Sequence, residues 1–186
     1  RLSYQLFEGD PTSFDYYTTN ADEGYTYGIE ADMKFAINEY LFFYDRFIIN
    51  KTYISRYSYL DSEVGGRSMA HAPEFCASGG IEYIYNNFRF RADHSVNLGY
   101  YYDEQSTFRS DPYQLLNAEA EININNITLS LFSKNIMDER YSTRGYYFAL
   151  EPSPSSINDG GVEFKETLYT SFGAPRQFGL SISYRY

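Results

Sequence analysis

The chain has 186 residues, enough for one domain, with 22 Tyr, 15 Phe and no Trp, so that aromatics make up 20 % of it and charged residues only 22 %. A net charge of -10 argues against a nucleic-acid partner, which needs a basic face toward phosphate, and a lone cysteine, Cys76, rules out an intramolecular disulfide or a multi-cysteine zinc centre. With a mean hydropathy of -0.50 and no apolar run near the roughly 18 residues that a membrane helix requires, helical spans are excluded, whereas strands that show lipid only at every second residue are not.

In chain order, "RLSYQL" already alternates, with Leu2, Tyr4 and Leu6 against Arg1, Ser3 and Gln5, and no initiator Met or signal segment precedes it. This reads as an excerpt that begins in mid-strand. The "GYTYGIEADMKF" stretch sets Tyr25, Tyr27, Ile29, Ala31, Met33 and Phe35 against Thr26, Gly28, Glu30, Asp32 and Lys34. "EYLFFYDRFIINKTYISRY" is apolar on both faces in its middle, which a bulge or a packed lumen would explain. "EFCASGGIEYIY" opposes Phe75, Ala77, Gly79, Ile81, Tyr83 and Tyr85 to Glu74, Cys76, Ser78, Gly80 and Glu82. "FRFRADHSVNLGYYYD" places Phe88, Phe90, Ala92, Val96, Leu98, Tyr100 and Tyr102 on one face, with His94 among them. "LLNAEAEININ" turns Leu116, Ala118, Ala120, Ile122 and Ile124 away from Asn117, Glu119, Glu121, Asn123 and Asn125. Parity in "ITLSLFSKNIMDERY" becomes ambiguous after Leu131. The closing "QFGLSISYRY" alternates throughout: Phe178, Leu180, Ile182, Tyr184 and Tyr186 face one way and Gln177, Gly179, Ser181, Ser183 and Arg185 the other.

The connections are asymmetric. Short turns are expected at 36–39, 86–87 and 125–126, where Asn tolerates positive φ, and long polar loops at 59–72, 104–113 and 149–172. Short turns at one end and long loops at the other is the layout of an outer-membrane barrel. A soluble sandwich also alternates, but its strands run about 5 to 6 residues, whereas these exceed the 9 to 11 that a tilted crossing needs. Tyr83, Tyr85, Phe88, Tyr100 and Tyr102, near strand ends, fit aromatic girdles at the lipid interfaces. The expected fold is therefore all-β, an antiparallel transmembrane β-barrel segment of about eight strands.

Several stretches together resemble the C-terminal barrel of TonB-dependent outer-membrane receptors. They are "TTNADEGYTYGIEADM", "AHAPEFCASGGIEYIY", "YQLLNAEAEI", "SKNIMDERYSTRGYYF" with Ile136 and Met137 at the apolar positions of an Asn-Leu-Phe-Asp-x-x-Tyr signature, and "GAPRQFGLSISYRY", where Tyr186 replaces the usual final Phe. The resemblance implies that residues 1–186 are one C-terminal segment of a barrel of about 22 strands, with the plug domain absent from this chain. It implies a Gram-negative outer-membrane receptor for a scarce nutrient, a ferric siderophore being the most common cargo and cobalamin or an oligosaccharide sharing the architecture. Its partners would be outer-membrane lipid and lipopolysaccharide, the small-molecule ligand, and TonB through the plug. The barrel assembly machinery would read the C-terminal strand: Phe178, Leu180, Ile182, Tyr184 and Tyr186. A small closed eight-stranded barrel with a structural or adhesion role is the alternative.

For a ligand site, Arg144, Tyr146 and Tyr147 lie near the outer rim, with Arg109 a weaker candidate; Arg can hold an anionic chelate by paired hydrogen bonds and Tyr can stack on a ring, although a girdle beside a surface Arg explains the same residues. No catalytic group, cofactor or metal centre is expected: no Ser-His-Asp arrangement can be placed, His94 reads as interfacial or packed, His71 as structural or solvated, and Cys76 as a small packing residue. Glu30, Asp32, Glu74, Glu82, Glu119 and Glu121 read as the hydrated wall of a lumen.

Overall fold

The computed structural model describes residues 3–7, 16–20, 23–59, 62–103, 107–152 and 164–186. Every regular element among them is a strand. In chain order these are β1 (Ser3–Phe7), β2 (Tyr16–Asn20), β3 (Gly24–Ala36), β4 (Leu41–Ile54), β5 (Tyr57–Tyr59), β6 (Ser62–Val64), β7 (Phe75–Tyr85), β8 (Phe88–Asn97), β9 (Tyr113–Ile124), β10 (Ile127–Lys134), β11 (Ser142–Pro152), β12 (Phe164–Phe172) and β13 (Gln177–Tyr184). Seven of them form one antiparallel sheet in the order β13-β10-β9-β8-β7-β4-β3, while β1-β2, β5-β6 and β11-β12 are separate two-stranded ribbons. The seven-stranded sheet does not close on itself; β3 and β13 are its edges.

Local chemistry fixes the tight ends. Asn86 and Asn125 both take φ of 53°, the left-handed conformation that Asn tolerates, at the β7-β8 and β9-β10 turns. In the β3-β4 turn the Asn38 carboxamide oxygen accepts from the amides of Tyr40 and Leu41, each at 2.9 Å, a side-chain mimic of a backbone turn. All three expected short turns therefore lie at one end of the sheet.

The registers carry alternation across the whole sheet. One row runs Phe35↔Phe43↔Ile81↔Ala92↔Ala118↔Ser133↔Phe178. That side is mainly apolar, with Asp45, Lys51, His94, Gln114 and Ser133 as its polar members, and its large apolar members stand bare: Ile29 at 65 % exposure and Leu180 at 66 %. The opposite side carries Glu30, Asp32, Arg46, Glu82, Arg89, Arg91, Glu119 and Glu121. Few large side chains are buried, and those that are (Ile54, Val64, Tyr100 and Tyr102) do not lie between two sheets but where loops fold over the strand ends. An apolar face that no layer of the described residues covers belongs to a membrane wall, not to a sandwich core.

The two irregular stretches resolve as follows. β4 runs for 14 residues with no register shift against β3, so its doubly apolar middle involves no bulge. Phe42, Tyr44 and Ile48 line the inner face, and the 65–70 segment folds over its end, where Ile54 donates to the Arg67 carbonyl at 2.9 Å and Gly66 donates to that of Ile54 at 2.8 Å. β10 keeps its parity through Lys134: Leu131 pairs outward with Ala120 and Leu180, and Phe132 turns inward over Gly179, where a Cβ would strike the ring.

Three expectations are corrected. The strand from Phe88 ends at Asn97, because Gly99 at φ 83° breaks the alternation; Tyr100 and Tyr102 are 9 % and 4 % exposed, packed within the loops rather than in a girdle. The 149–172 loop is largely the β11-β12 hairpin, which includes bulges between Ser142 and Arg144 and between Phe148 and Glu151. Within 59–72, β5 and β6 form a short ribbon.

Candidate functional site

A joint above the long-loop end of the sheet positions the rim. Asn135, at φ 50°, stops β10, and it is 3 % exposed. Its amide accepts and donates in four directions: its backbone N–H donates to Asn117 Oδ1 at 2.9 Å, its Nδ2 to the carbonyls of Glu139 at 2.9 Å and Ala174 at 3.1 Å, and its Oδ1 accepts from the Glu139 amide at 2.9 Å. Asp138 accepts from the Arg176 amide at 2.9 Å. Tyr141 packs at a tilt against Tyr113, 4.6 Å between centroids, and covers Gly173, where any Cβ would enter the ring. The sequence signature built on Asn135, Asp138 and Tyr141 is thus a knot that binds the "GAPR" turn, so that β10-β13 in the sheet and β11-β12 beyond it form one interrupted hairpin.

Two further loops are tied to it. Tyr100 donates its hydroxyl to the Thr143 carbonyl at 2.8 Å, Tyr102 bonds the Ser142 hydroxyl, and the Tyr102 ring lies where a Cβ on Gly145 would be. Burial, then the neighbouring Tyr113 and Tyr102, raise the Tyr100 hydroxyl above its ordinary pKa. On the other side His71 donates its amide to the Tyr101 carbonyl at 2.9 Å, and Arg67 Nη2 donates to the Asp103 carbonyl at 3.2 Å. The rim therefore forms a connected set of loops, held by hydrogen bonds and, between Asp138 and Arg176, by an exposed ion pair at 3.8 Å.

Within it, two guanidiniums stack on one phenol. Arg67 lies 4.2 Å and Arg109 4.9 Å from the Tyr101 ring centroid, and Arg109 also faces Tyr101 across an antiparallel bridge. Arg67 Nη1 is buried and has no hydrogen-bond partner among the described residues. In an acidic chain this is a local cationic-aromatic surface suited to an anionic or π-rich ligand. Arg109 was among the sequence candidates; Arg67 and Tyr101 were not, since only the fold brings residue 67 to residue 101. Arg144 and Tyr146 are exposed on β11, with Nη1 to Oη at 3.5 Å. Tyr147 is opposite Leu168 in the hairpin register, and its side chain lies outside the described residues.

The inner wall is polar and internally paired. Arg46 bridges Asp32 at 2.7 Å and Glu30 at 3.7 Å, Arg89 meets Glu82 at 2.6 Å, and Arg91 Nε donates to Asp93 at 2.8 Å and Tyr44 Oη at 2.7 Å, with Tyr44 also bonded to Asp93. Glu121 accepts from Asn123 at 3.1 Å, whereas Lys51, on the outward parity of β4 opposite Tyr27, reaches Glu74 at 3.0 Å at the loop end. A shallow hollow of about 230 Å³ lies among Arg46, Ile48, Cys76, Ser78, Ser95 and Asn97. The Cys76 thiol there accepts from the Asn97 amide at 3.6 Å. His94 faces outward and bonds Asp45 at 3.0 Å. His71 is exposed at its loop end, its ring 5.3 Å from that of Tyr100. Among the described residues no group of three or more His, Cys, Asp or Glu could hold a metal ion.

On β13, Phe178, Leu180, Ile182 and Tyr184 form a single outward column at 62 to 72 % exposure, and the Tyr186 ring, fully exposed, meets that of Tyr184 edge-on at 5.5 Å.

A family model described as TonB dependent receptor-like, beta-barrel, matches residues 3–136. Among solved structures, that of the ferric yersiniabactin uptake receptor FyuA from Yersinia pestis is similar to this chain with a TM-score of 0.70 at 16 % identity, over 90 % of this chain. The chain spans 24 % of that structure's length. A search of the curated proteins returned no match.

Proposed function

The chain belongs to the TonB-dependent receptor beta-barrel family, and from that footing we propose that it forms part of the wall and outer rim of an outer-membrane receptor that takes up a scarce nutrient, a ferric siderophore, with energy supplied through TonB. The family is one of transporters rather than enzymes. Its members reside in the Gram-negative outer membrane, which agrees with the bare apolar face. Ferric siderophores combine anionic oxygens with aromatic or chelating groups, and the observation that carries the reading is the stack of Arg67 and Arg109 on Tyr101, fixed at the long-loop end above a polar wall. The siderophore named for the similar structure supports the same class of cargo without fixing its identity. In this reading ligand meets the rim loops, TonB acts through a plug, and the Phe178 to Tyr186 column serves barrel assembly.

The test is uptake by iron-starved Gram-negative cells expressing the intact receptor, with and without TonB. A panel of radiolabelled cargoes would comprise ferric phenolate, catecholate and hydroxamate chelates, cobalamin and a linear oligosaccharide. Accumulation of one ferric chelate that disappears without TonB is the expected result. Accumulation of only cobalamin or the oligosaccharide would reassign the cargo, and uptake indifferent to TonB would overturn the mechanism.

A further inference from the structure

Two arginines cap the outward column of β13 at its long-loop end. The chain that leads into β13 is held by the Asn135 knot: Gly173 donates its amide to the Tyr141 carbonyl at 2.9 Å, and Asp138 Oδ1 accepts from the Arg176 amide at 2.9 Å, so that 138–141 lies beside 173–176. Tyr141 packs against Tyr113, which shares the inward parity of Asn117 and Glu119 on β9, and a Cβ on Gly173 would enter the same Tyr141 ring. Because successive side chains alternate, their neighbours Arg140 and Phe172 turn outward. The Arg140 guanidinium lies 4.2 Å from the Phe172 ring centroid, and that of Arg176 lies 5.9 Å from the centroid of Phe178 in the outward column. Both rings are bare, at 50 % and 72 % exposure.

Height places both cations at the membrane border. Arg176 is eight positions above Tyr184; at roughly 3.3 Å per residue and a tilt of about 40°, it stands about 20 Å higher along the membrane normal, near the top of an apolar band about 25 Å tall. Arg140, beside Phe172, is farther up. Neither charge is fully met by the protein. Arg140 makes no ion pair or hydrogen bond among the described residues, and Arg176 donates to the Ile136 carbonyl at 3.4 Å and stands 3.8 Å from Asp138 Oδ2, whose carboxylate already serves the backbone. Lys51, outward on β4, is by contrast met by Glu74 at 3.0 Å. A guanidinium laid on an aromatic ring keeps its planar edge of N–H donors free, and that edge matches the oxygens of a phosphate. In a chain of net charge -10, two such groups above a lipid-facing apolar column are complementary to an anionic headgroup with its acyl chains below. We propose that Arg140 and Arg176, seated on Phe172 and Phe178, bind a phosphate of an outer-leaflet lipopolysaccharide whose acyl chains lie along Phe178, Leu180 and Ile182. The site depends on the wall standing in the outer membrane and not on which cargo the rim takes up.

The experiment is native mass spectrometry of the intact receptor in detergent, titrated with lipid A, the membrane anchor of lipopolysaccharide, in two forms that share their acyl chains: one with both phosphates and one with none. The phosphorylated form should bind the unmodified receptor at least ten-fold more tightly than the phosphate-free form, a comparison that requires no variant to fold. Arg140→Gln and Arg176→Gln should each weaken the phosphorylated lipid about five-fold, as one basic side chain at a charged lipid surface contributes about that much, with no change for the phosphate-free lipid and none in heat-modifiable gel mobility. Lys51→Gln should leave both affinities as they are. Equal binding of the two lipids by the unmodified receptor would overturn the proposal. So would an undiminished preference for phosphate in the double variant, or a loss with Lys51→Gln as large as with the arginines, since the attraction would then belong to the surface as a whole.

Discussion

The Asn135 side-chain amide donates to the Ala174 carbonyl at 3.1 Å, joining segments 39 residues apart at the place where the sheet ends and the rim begins. With its bonds to Glu139 and Asn117, this one residue holds both sides of the interrupted hairpin.

Replacing Asn135 by Ala should therefore strand buried carbonyl and amide groups, at a cost of about 1–3 kcal/mol for each group left unsatisfied. The expected outcome is a lower thermal unfolding temperature of the intact receptor in detergent and faster proteolysis within 142–172. An unchanged cleavage rate would mean that the knot does not hold the rim hairpin.

Tyr100 supplies a second tie, and its titration has a definite sign. Its pKa is raised by burial, so the folded state favours the protonated hydroxyl that donates to Thr143. That stabilisation is complete below the ordinary tyrosine value of about 10 and is lost as pH rises through the raised value. Limited proteolysis of the rim should accelerate only above about pH 10, and Tyr100→Phe should remove this alkaline step while costing about 0.5–1.5 kcal/mol of rim stability at neutral pH. Acceleration that begins near neutrality, or persists in Tyr100→Phe, would contradict the assignment.

Arg67 and Arg109 act together on Tyr101. Alanine at either should raise the KM for uptake about ten-fold with little change in maximal rate, because an exposed to half-buried cation-π or charged contact is worth about 1–2 kcal/mol. Arg144→Ala, on a separate exposed strand, should have the smaller effect. The reverse order would move the site to the β11-β12 hairpin, where the sequence first suggested it.

Sequence alone carried the wall of this protein because a membrane strand writes its two environments into alternate residues. β3, β7, β9 and β13 could be read that way from end to end, and the Asn turns marked their tight ends. Where loops take over, alternation loses its meaning: Tyr100 and Tyr102 continue the parity of β8 on paper, but Gly99 turns the chain and buries both rings. The β11-β12 hairpin was missed because "EPSPSSINDGG" dominates the composition of 149–172 while its flanks lack clean alternation. The Asp45–His94 pair was hidden for another reason, since it depends on register across β7 and on the missing side chain of Gly79. Arg67, likewise, meets Tyr101 only through the folding of two separate loops.

The terminal strand offers a two-sided test of the faces. Leu180→Lys should reduce the folded, heat-modifiable fraction in outer membranes, as a lysine facing lipid near the midplane costs about 2–4 kcal/mol. Ser181→Lys, on the inner side, should be tolerated, and so should Tyr186→Phe, which keeps the terminal aromatic.

The most direct measurement is a nitroxide scan of β9, one label at a time from Leu115 to Ile124, in the intact receptor in liposomes, comparing collisions with oxygen, which concentrates in lipid, and with a water-soluble nickel chelate. The account requires a period of two, with oxygen contact at Leu116, Ala118, Ala120, Ile122 and Ile124 and nickel contact at Asn117, Glu119, Glu121 and Asn123. Uniform contact with either reagent, or the opposite phase, would contradict a membrane wall with its apolar face in lipid and its polar face toward a lumen.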